Sequence, residues 1–495
     1  MPGRTGQTSM CPTALGKTSL IDIWVFLLAW QAAQGSDRTM PLRLFFAVDR
    51  RLVVDQAHEH AERLADVLRQ AEPGTVCGRV ADALSQLGGG DEPLSVVRMR
   101  GGMDWASRWL RSPAQPAVVV STVDQYGSRL LFRGYHTTPR MRPIDASLTG
   151  FDALLALDEA HLSQALLTTA RDCAAYQATA ADPYFAARAL KVVSLSATAD
   201  DSGRPRLGVG PEDRAHPVAG KRLHANRRVT LLDVSTWAKS PTDAFAHGAT
   251  TAVNALLPHI ERPVVAVVAN TIASARAAFQ PLSARDDLDV LLLTGRCRDG
   301  ERTNLVEGPL SELLNGVDPH RSRPLIVVAT QTIEVGLDVS VAGMCIEAAA
   351  WDAVLQRLGR LDRTGDLALA PAVLVREPRA GRRPDHPRLR GSRRPHLALA
   401  CLPYPRSGPV RGYGRTGASP LTSGLLLNPS TLPALRADVD ISALTAPSPR
   451  IPVVHRTVLD SWARTDPAPV PDQVPAPFLH GMDASPADVR GALES

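Results

Sequence analysis

Short apolar runs that are continuous rather than alternating punctuate the chain. A first series is LRLFFAV (42–48), AVVVST (117–122), ALLALD (153–158) and VVSLSAT (192–198). A second is VTLLDV (229–234), PVVAVVA (263–269), DVLLLT (289–294), PLIVVAT (324–330) and GMCIEAA (343–349). Strands that are apolar at every position suit a parallel sheet covered on both faces, because a half-exposed strand would alternate. Segments with helical spacing separate the runs. Strand–helix alternation occurring twice predicts an α/β fold with two tandem parallel-sheet domains. The polar stretch 199–226, with DDSGRPRLGVGPED, marks the boundary between a first domain over 1–215 and a second over 225–375.

Composition shifts after Arg376. Residues 376–415 hold eleven arginines and seven prolines against two acidic residues, and the rest to Ser495 is Pro-rich with little periodicity. The expectation for 376–495 is a Pro/Arg-rich basic linker followed by a partly ordered accessory region. A solvated linker, a phosphate-contacting surface and sequence foreign to the native frame all fit the basic part.

The bulk numbers exclude more than they select. With 495 residues, 44% hydrophobic and 21% charged, the chain is ordinary for a soluble globular protein, and a net charge of +5 permits an anionic partner without requiring one. Six cysteines without a C-x-x-C pair suggest neither a zinc site nor a disulfide framework, which fits a reducing, cytoplasmic compartment. No apolar run approaches the roughly 18 residues that span a bilayer, so no membrane is expected. One stretch is ambiguous. CPTALGKTSLIDIWVFLLAWQAAQGS (11–36) reads as a phosphate loop opening a helix, or as an export signal with a basic start and an apolar centre. Asp22 inside the apolar centre is awkward for a signal and easy for an amphipathic helix.

Two further stretches carry chemistry. LLALDEAHLSQ (154–164) ends an apolar strand in Asp158-Glu159, which sets two carboxylates at the carboxyl edge of a sheet, where open α/β proteins bind ligands. Nucleotide hydrolysis needs such a pair, one carboxylate to hold Mg²⁺ and one to orient the attacking water. VLQRLGRLDRTG (354–365) sets Arg357, Arg360 and Arg363 three apart, on one face of a helix. Such a row suits the charge of a transferring phosphoryl group better than a structural role with few acidic neighbours.

With these motifs the chain resembles a superfamily 2 DExH helicase. ALGKT (14–18), AVDRRLVVDQ (47–56), VSTVDQYGSRLLFRGY (120–135), LDEAH (157–161), LSATA (195–199), VVANTIASA (267–275), ATQTIEVGLDVS (329–340) and QRLGRLDRTG (356–365) follow in the order of that superfamily's motifs. VDRRLVVDQ, MRGGMDWASRW (99–109), STVDQYGSRLLFRGY and QRLGRLDRTG are similar to the helicase of CRISPR type I interference, which Cascade recruits to an R-loop. The tail VLDSWARTDPAPVPDQVPAPFLHG (458–481) resembles the variant in which a nuclease domain follows the helicase.

The resemblance implies two RecA-like domains, ATP and Mg²⁺ as cofactors, and single-stranded DNA and a Cascade-type surveillance complex as partners. Gly16, Lys17 and Thr18 would form the phosphate loop, which keeps the intracellular reading of 11–36 ahead of the exported one. Lys17 would reach the phosphates, Thr18 and Asp158 would hold Mg²⁺, and Glu159 would activate water. Gln356 would line the site, with Arg360 and Arg363 as fingers and Gly336 and Asp338 approaching the nucleotide. Arg50, Arg51, Thr122, Gln125, Asn270 and Thr332 would contact the backbone of a translocating strand. Cys11 replaces the first glycine of the phosphate loop, a mild departure. No adenine-reading element precedes it, and none of the thirteen histidines is followed by aspartate. The chain therefore reads as truncated at both ends, with no nuclease domain in 376–495 and a nuclease domain or chain supplied separately. The leading reading is an ATP-dependent DNA helicase of CRISPR interference. A generic superfamily 2 repair or RNA helicase, and an inactive truncated remnant that binds nucleotide or nucleic acid, stay open beside it.

Overall fold

The structure is a computed structural model. It describes residues 7–10, 16–35, 38–49, 51–99, 112–135, 137–196, 206–234, 240–260, 262–294, 321–334, 339–376, 424–429, 449–466 and 474–482, with the backbone alone for 7–10, 51–53 and 206–207. The described residues fall into two compact units, and the chain crosses from one to the other at Gly208–Val209.

Seven parallel strands build the first unit. They are β1 (Gln7–Met10), β2 (Arg43–Val48), β3 (Ser95–Met99), β4 (Ala117–Thr122), β5 (Ala153–Asp158), β6 (Lys191–Ser196) and β7 (Arg206–Leu207). Their spatial order is β3-β4-β2-β5-β6-β1-β7. Every residue of β2 and β4 is buried, as continuous apolar runs require. The pleat sends alternate side chains to opposite faces. Leu44, Phe46, Val118, Val120, Leu154 and Ala156 form one core, and Phe45, Val119, Leu155 and Leu157 form the other. The first core is closed by α1 (Leu20–Ala32), α2 (Arg51–Arg69) and α3 (Val76–Gly88). The second is closed in part by α4 (Val123–Leu130) and α5 (Gln164–Ala178).

Helix α1 explains why its sequence reads two ways. Ile21, Trp24, Val25 and Leu28 face the sheet, and Trp24 Nε1 donates to the Pro41 carbonyl at 3.0 Å. Asp22 bonds His60 Nε2 on α2 at 2.9 Å. The remaining face carries the exposed apolar residues Ile23, Phe26, Leu27 and Trp30, so the helix is apolar nearly all round, like a signal core. No described helix is long and apolar enough to cross a membrane.

The second unit is built the same way. Strands β8 (Arg227–Asp233), β9 (Val264–Val268), β10 (Asp289–Leu293), β11 (Leu325–Ala329), β12 (Gly343–Glu347), β13 (Ala370–Arg376) and β14 (Leu425–Leu427) lie in the order β10-β11-β9-β12-β13-β8-β14. All pairs are parallel except β14 with β8. Helices α6 (Pro241–Leu256) and α7 (Ile272–Ser283) cover one face, and α8 (Trp351–Leu358) follows β12. Two parallel-sheet domains of α/β class are thus observed as expected.

The stretch 376–495, expected as a basic linker followed by an accessory region, has described segments in both units. Its basic part, 377–423, lies outside the described residues. Residues 425–427 extend the second sheet, whereas 449–482 return to the first unit. There α9 (Arg456–Trp462) and α10 (Ala476–His480) seal the core that α4 and α5 leave open, with Val454, Trp462 and Leu479 all at most 2% exposed. Tyr176 Oη donates to the Val454 carbonyl and Thr169 Oγ1 to that of Phe478, each at 2.7 Å. A methyl group on Gly127 of α4 would overlap the Leu479 side chain, so the glycine makes room for α10.

The end of α10 is pinned by a titratable contact. His480 Nε2 lies 2.7 Å from Asp124 Oδ1, and that hydrogen bond, with the charges of Asp124 and Asp49, holds the imidazole pKa above its ordinary value against partial burial. A histidine whose folded pKa is raised contributes stability that is complete below its unfolded pKa and is lost as pH rises through the folded one. Amide hydrogen exchange in 474–482, corrected for intrinsic rate, is therefore expected to speed up over the window in which pH rises above the ordinary histidine value of about 6.5. The His480→Ala variant is expected to exchange fast at both ends of that window. Equal pH dependence in the variant would remove His480 as the cause.

Candidate functional site

Strand order decides which side chains can meet. β5, β6 and β1 are neighbours and run parallel, so the D-E strand, the LSATA strand and the strand before the phosphate loop all finish on one edge. From β1 the chain reaches Gly16, whose φ of +80° lies in the left-handed region that glycine takes without strain. A 3₁₀ turn, Lys17–Ser19, then leads into α1.

That turn delivers Lys17 to the carboxylates. Lys17 Nζ lies 2.7 Å from Glu159 Oε1 and 3.2 Å from Asp158 Oδ1, with side chains 9% and 14% exposed. Burial works against the ammonium, yet the two carboxylates outweigh it and hold its pKa above the usual lysine value. Burial lifts the pKa of Asp158, opposed by Lys17 and aided by Glu159. Asp158 Oδ1 also accepts from the Glu159 amide at 2.9 Å. Glu159 has φ +46°, a left-handed conformation that a non-glycine residue adopts at a cost and that clusters at functional sites. His161 Nδ1 sits 3.2 Å from Ser196 Oγ at the end of β6 and 3.5 Å from Glu159 Oε2, which ties LDEAH to LSATA.

This donor set fits a phosphate with a hard divalent cation. A charged lysine at a helix-opening turn meets anionic oxygens, and Mg²⁺ is held by one or two carboxylates plus substrate phosphates rather than by an all-protein cage. Among the described residues no cluster of three or more His, Cys, Asp or Glu could hold a metal by itself. Thr18, in the same turn, and Asp158 are the residues that would take the cation.

In the second unit the row of arginines turns inward. Arg357, 1% exposed, donates from Nε to Glu334 Oε1 at 2.8 Å, from Nη1 to the Glu347 carbonyl at 2.9 Å and from Nη2 to Asn270 Oδ1 at 2.9 Å. Arg360, 7% exposed, donates from Nη2 to the Glu334 carbonyl at 2.8 Å and from Nε to that of Ile333 at 3.1 Å. Gln356 is buried and Arg363 half-buried, its amide donating to Ser340 Oγ at 3.0 Å.

The comparisons with known proteins follow from the same segments. Residues 261–366 match the family described as CRISPR-associated nuclease/helicase Cas3, C-terminal. Over 100 residues the chain is 32% identical to a Methanocaldococcus jannaschii protein described as "Putative CRISPR-associated nuclease/helicase Cas3", which is 20% of this chain and 13% of that protein. Its fold is similar to crystal structures of T. fusca Cas3 and T. fusca Cas3-ATP, with TM-scores of 0.51 and 0.50. The likeness in sequence to Cas3 lies within residues 261–366. Each of the T. fusca matches is 19% identical and covers 76% of this chain and 45% of the other. The chain thus spans less than half the length of those Cas3 structures, and at that identity the likeness to them is one of fold.

Two residues expected to contact a strand are turned inward. Asn270, 9% exposed, donates from Nδ2 to the Ala348 carbonyl at 2.8 Å and accepts from Arg357, so its amide is spent inside the second unit. Gln125, 5% exposed, accepts from Arg129 Nη1 at 2.6 Å on Oε1. Neither reaches outward, because a buried amide must satisfy its own hydrogen bonds. Thr122 caps α4 by accepting from the Gln125 amide at 3.4 Å, and Thr332 Oγ1 donates to the Leu293 carbonyl at 3.0 Å. The expectations for Arg50, Gly336, Asp338 and the side chain of Arg51 lie outside the described residues. Sequence reasoning missed Glu334 and Glu347, and the only signal was two acids in otherwise apolar surroundings.

Proposed function

We propose that this Cas3-like chain is an ATP-driven motor on single-stranded DNA. It acts in CRISPR type I interference in the cytoplasm, unwinding target DNA at an R-loop that a Cascade-type surveillance complex opens. The observation that carries this reading is Lys17 held between Asp158 and Glu159 at the carboxyl edge of the first sheet. With Lys17 displaced onto phosphates, the two carboxylates are released for the cation and for water. Gly16 and Thr18 supply backbone N–H groups at the helix opening, and Glu159 takes the proton of the attacking water. Thr18 and Asp158 would hold Mg²⁺, which would supply charge neutralisation at the phosphates. Arg360 and Arg363 offer guanidinium groups of the second unit to phosphate chemistry. The link from His161 to Ser196 passes the state of the nucleotide to the sheet.

The test is steady-state ATP hydrolysis by the full chain, with and without single-stranded DNA. Turnover is expected to rise with DNA and to vanish in Lys17→Ala. A folded parent protein without hydrolysis would overturn the proposal. Hydrolysis stimulated by RNA but not DNA would move it to another helicase class.

A further inference from the structure

The three arginines of QRLGRLDRTG do not share one task. Arg357 lies in the last turn of α8 and Arg360 two residues past its end, and both meet the 3₁₀ turn Gln331–Ile333 and Glu334 after β11. Arg360 grips the turn by its carbonyls and Arg357 by the Glu334 carboxylate. The Arg357 fork also reaches the ends of two other strands, the Glu347 carbonyl after β12 and Asn270 after β9. Glu347 extends the frame by accepting from the Asn270 amide and, at 3.3 Å, from Ser274 Oγ. Gln331 Nε2 donates to the Asn270 carbonyl at 3.3 Å. One buried guanidinium therefore fastens the carboxyl ends of β9, β11 and β12 to α8.

We infer that Arg357 is a positioning residue for Arg360, holding in place the turn Gln331–Ile333 and Glu334 to which Arg360 is bonded. The inference rests on the proposed reading of the chain as an ATPase that uses Arg360. A finger must reach a ligand, whereas Arg357 is sealed at 1% exposure with donors already committed to three acceptors. Burying an ion pair costs more desolvation than an apolar contact of the same size, which motivates a role in fixing one arrangement. Lysine cannot replace it, because an ammonium on a flexible stem does not span three acceptors in one plane.

The experiment compares the full chain with Arg357→Ala, Arg357→Lys and Glu334→Gln. In Arg357→Ala and Arg357→Lys, kcat for ATP is expected to fall about 100-fold, as for sub-ångström misplacement of a catalytic group. KM is expected to hold, since the nucleotide is bound chiefly through Lys17. Glu334→Gln keeps shape and hydrogen bonds, loses the charge, and is expected to fall in the same sense. The second readout needs no activity: exchange of the Asn270 and Glu334 amides is expected to speed up in all three variants, with that of β5 unchanged. Parent-like kcat per folded molecule, or a rise in KM alone, would overturn the inference. If the parent itself does not hydrolyse ATP, the proposed function fails on its own, and unchanged exchange at Asn270 and Glu334 would still reject the positioning role.

Discussion

Glu159→Gln is expected to lower DNA-stimulated ATP turnover by about 10²–10⁴-fold, the range that a positioned general base supplies. Glutamine matches glutamate in shape and tolerates the same backbone, so the φ of +46° at this position is kept and the variant folds. It keeps an acceptor for Lys17, which lies 2.7 Å from Oε1, but loses the charge that takes a proton from water. Nucleotide affinity is therefore expected to hold, because Lys17 and the helix-opening turn remain. A variant with parent-like turnover would show that Glu159 only balances the charge of Lys17. Binding and turnover are read separately, by nucleotide titration and by steady-state phosphate release.

Trp462→Ala is expected to destabilise the first unit by about 3–5 kcal/mol, the usual cost of emptying a buried aromatic site. Trp462 is 2% exposed, packs edge-on to Phe478 with ring centroids 5.6 Å apart, and lies under the Arg133 guanidinium at 4.9 Å. Its loss opens a void beside Leu479 and Val454 that rigid strands cannot collapse to fill. In thermal unfolding of the full chain, the transition of the first unit is expected to drop by about 10 °C while that of the second stays. No shift would mean that 449–482 is not docked in solution.

Much of the fold was legible because parallel strands leave a blunt signal. AVVVST and ALLALD coincide with β4 and β5, since strands buried on both faces read as unbroken apolar runs up to the polar residues at their carboxyl ends. β3 was missed because only its ends, Ser95 and Met99, are fully buried, and β13 because Pro371 near its start reads as a strand breaker. The cluster of Lys17, Asp158 and Glu159 could be anticipated because phosphate chemistry limits which residues serve it. The arginine row was harder. Spacing set Arg357, Arg360 and Arg363 on one face of a helix, but the helix ends at Leu358, and spacing could not say that Glu334 and Asn270 wait beside Arg357, since those partners come from distant segments. Asn270 is turned inward for the same reason, whereas Gln125 is held by Arg129, one turn on in its own helix. A polar side chain at a strand end can face outward or complete a buried network, and local sequence does not distinguish the two.

The return of 449–482 to the first sheet has a consequence for biosynthesis. The seam lined by Tyr126, Leu166 and Cys173 lacks its Trp462 and Leu479 cover until residues 454–479 have been made. At translation rates of about 5–20 residues per second, the sequence between β6 and α9 takes on the order of tens of seconds to emerge from the ribosome. Through that interval the nascent first unit offers water, and any chaperone, an apolar groove that the finished protein hides. The second sheet can close from contiguous sequence in the meantime, so the half made first is the half completed last.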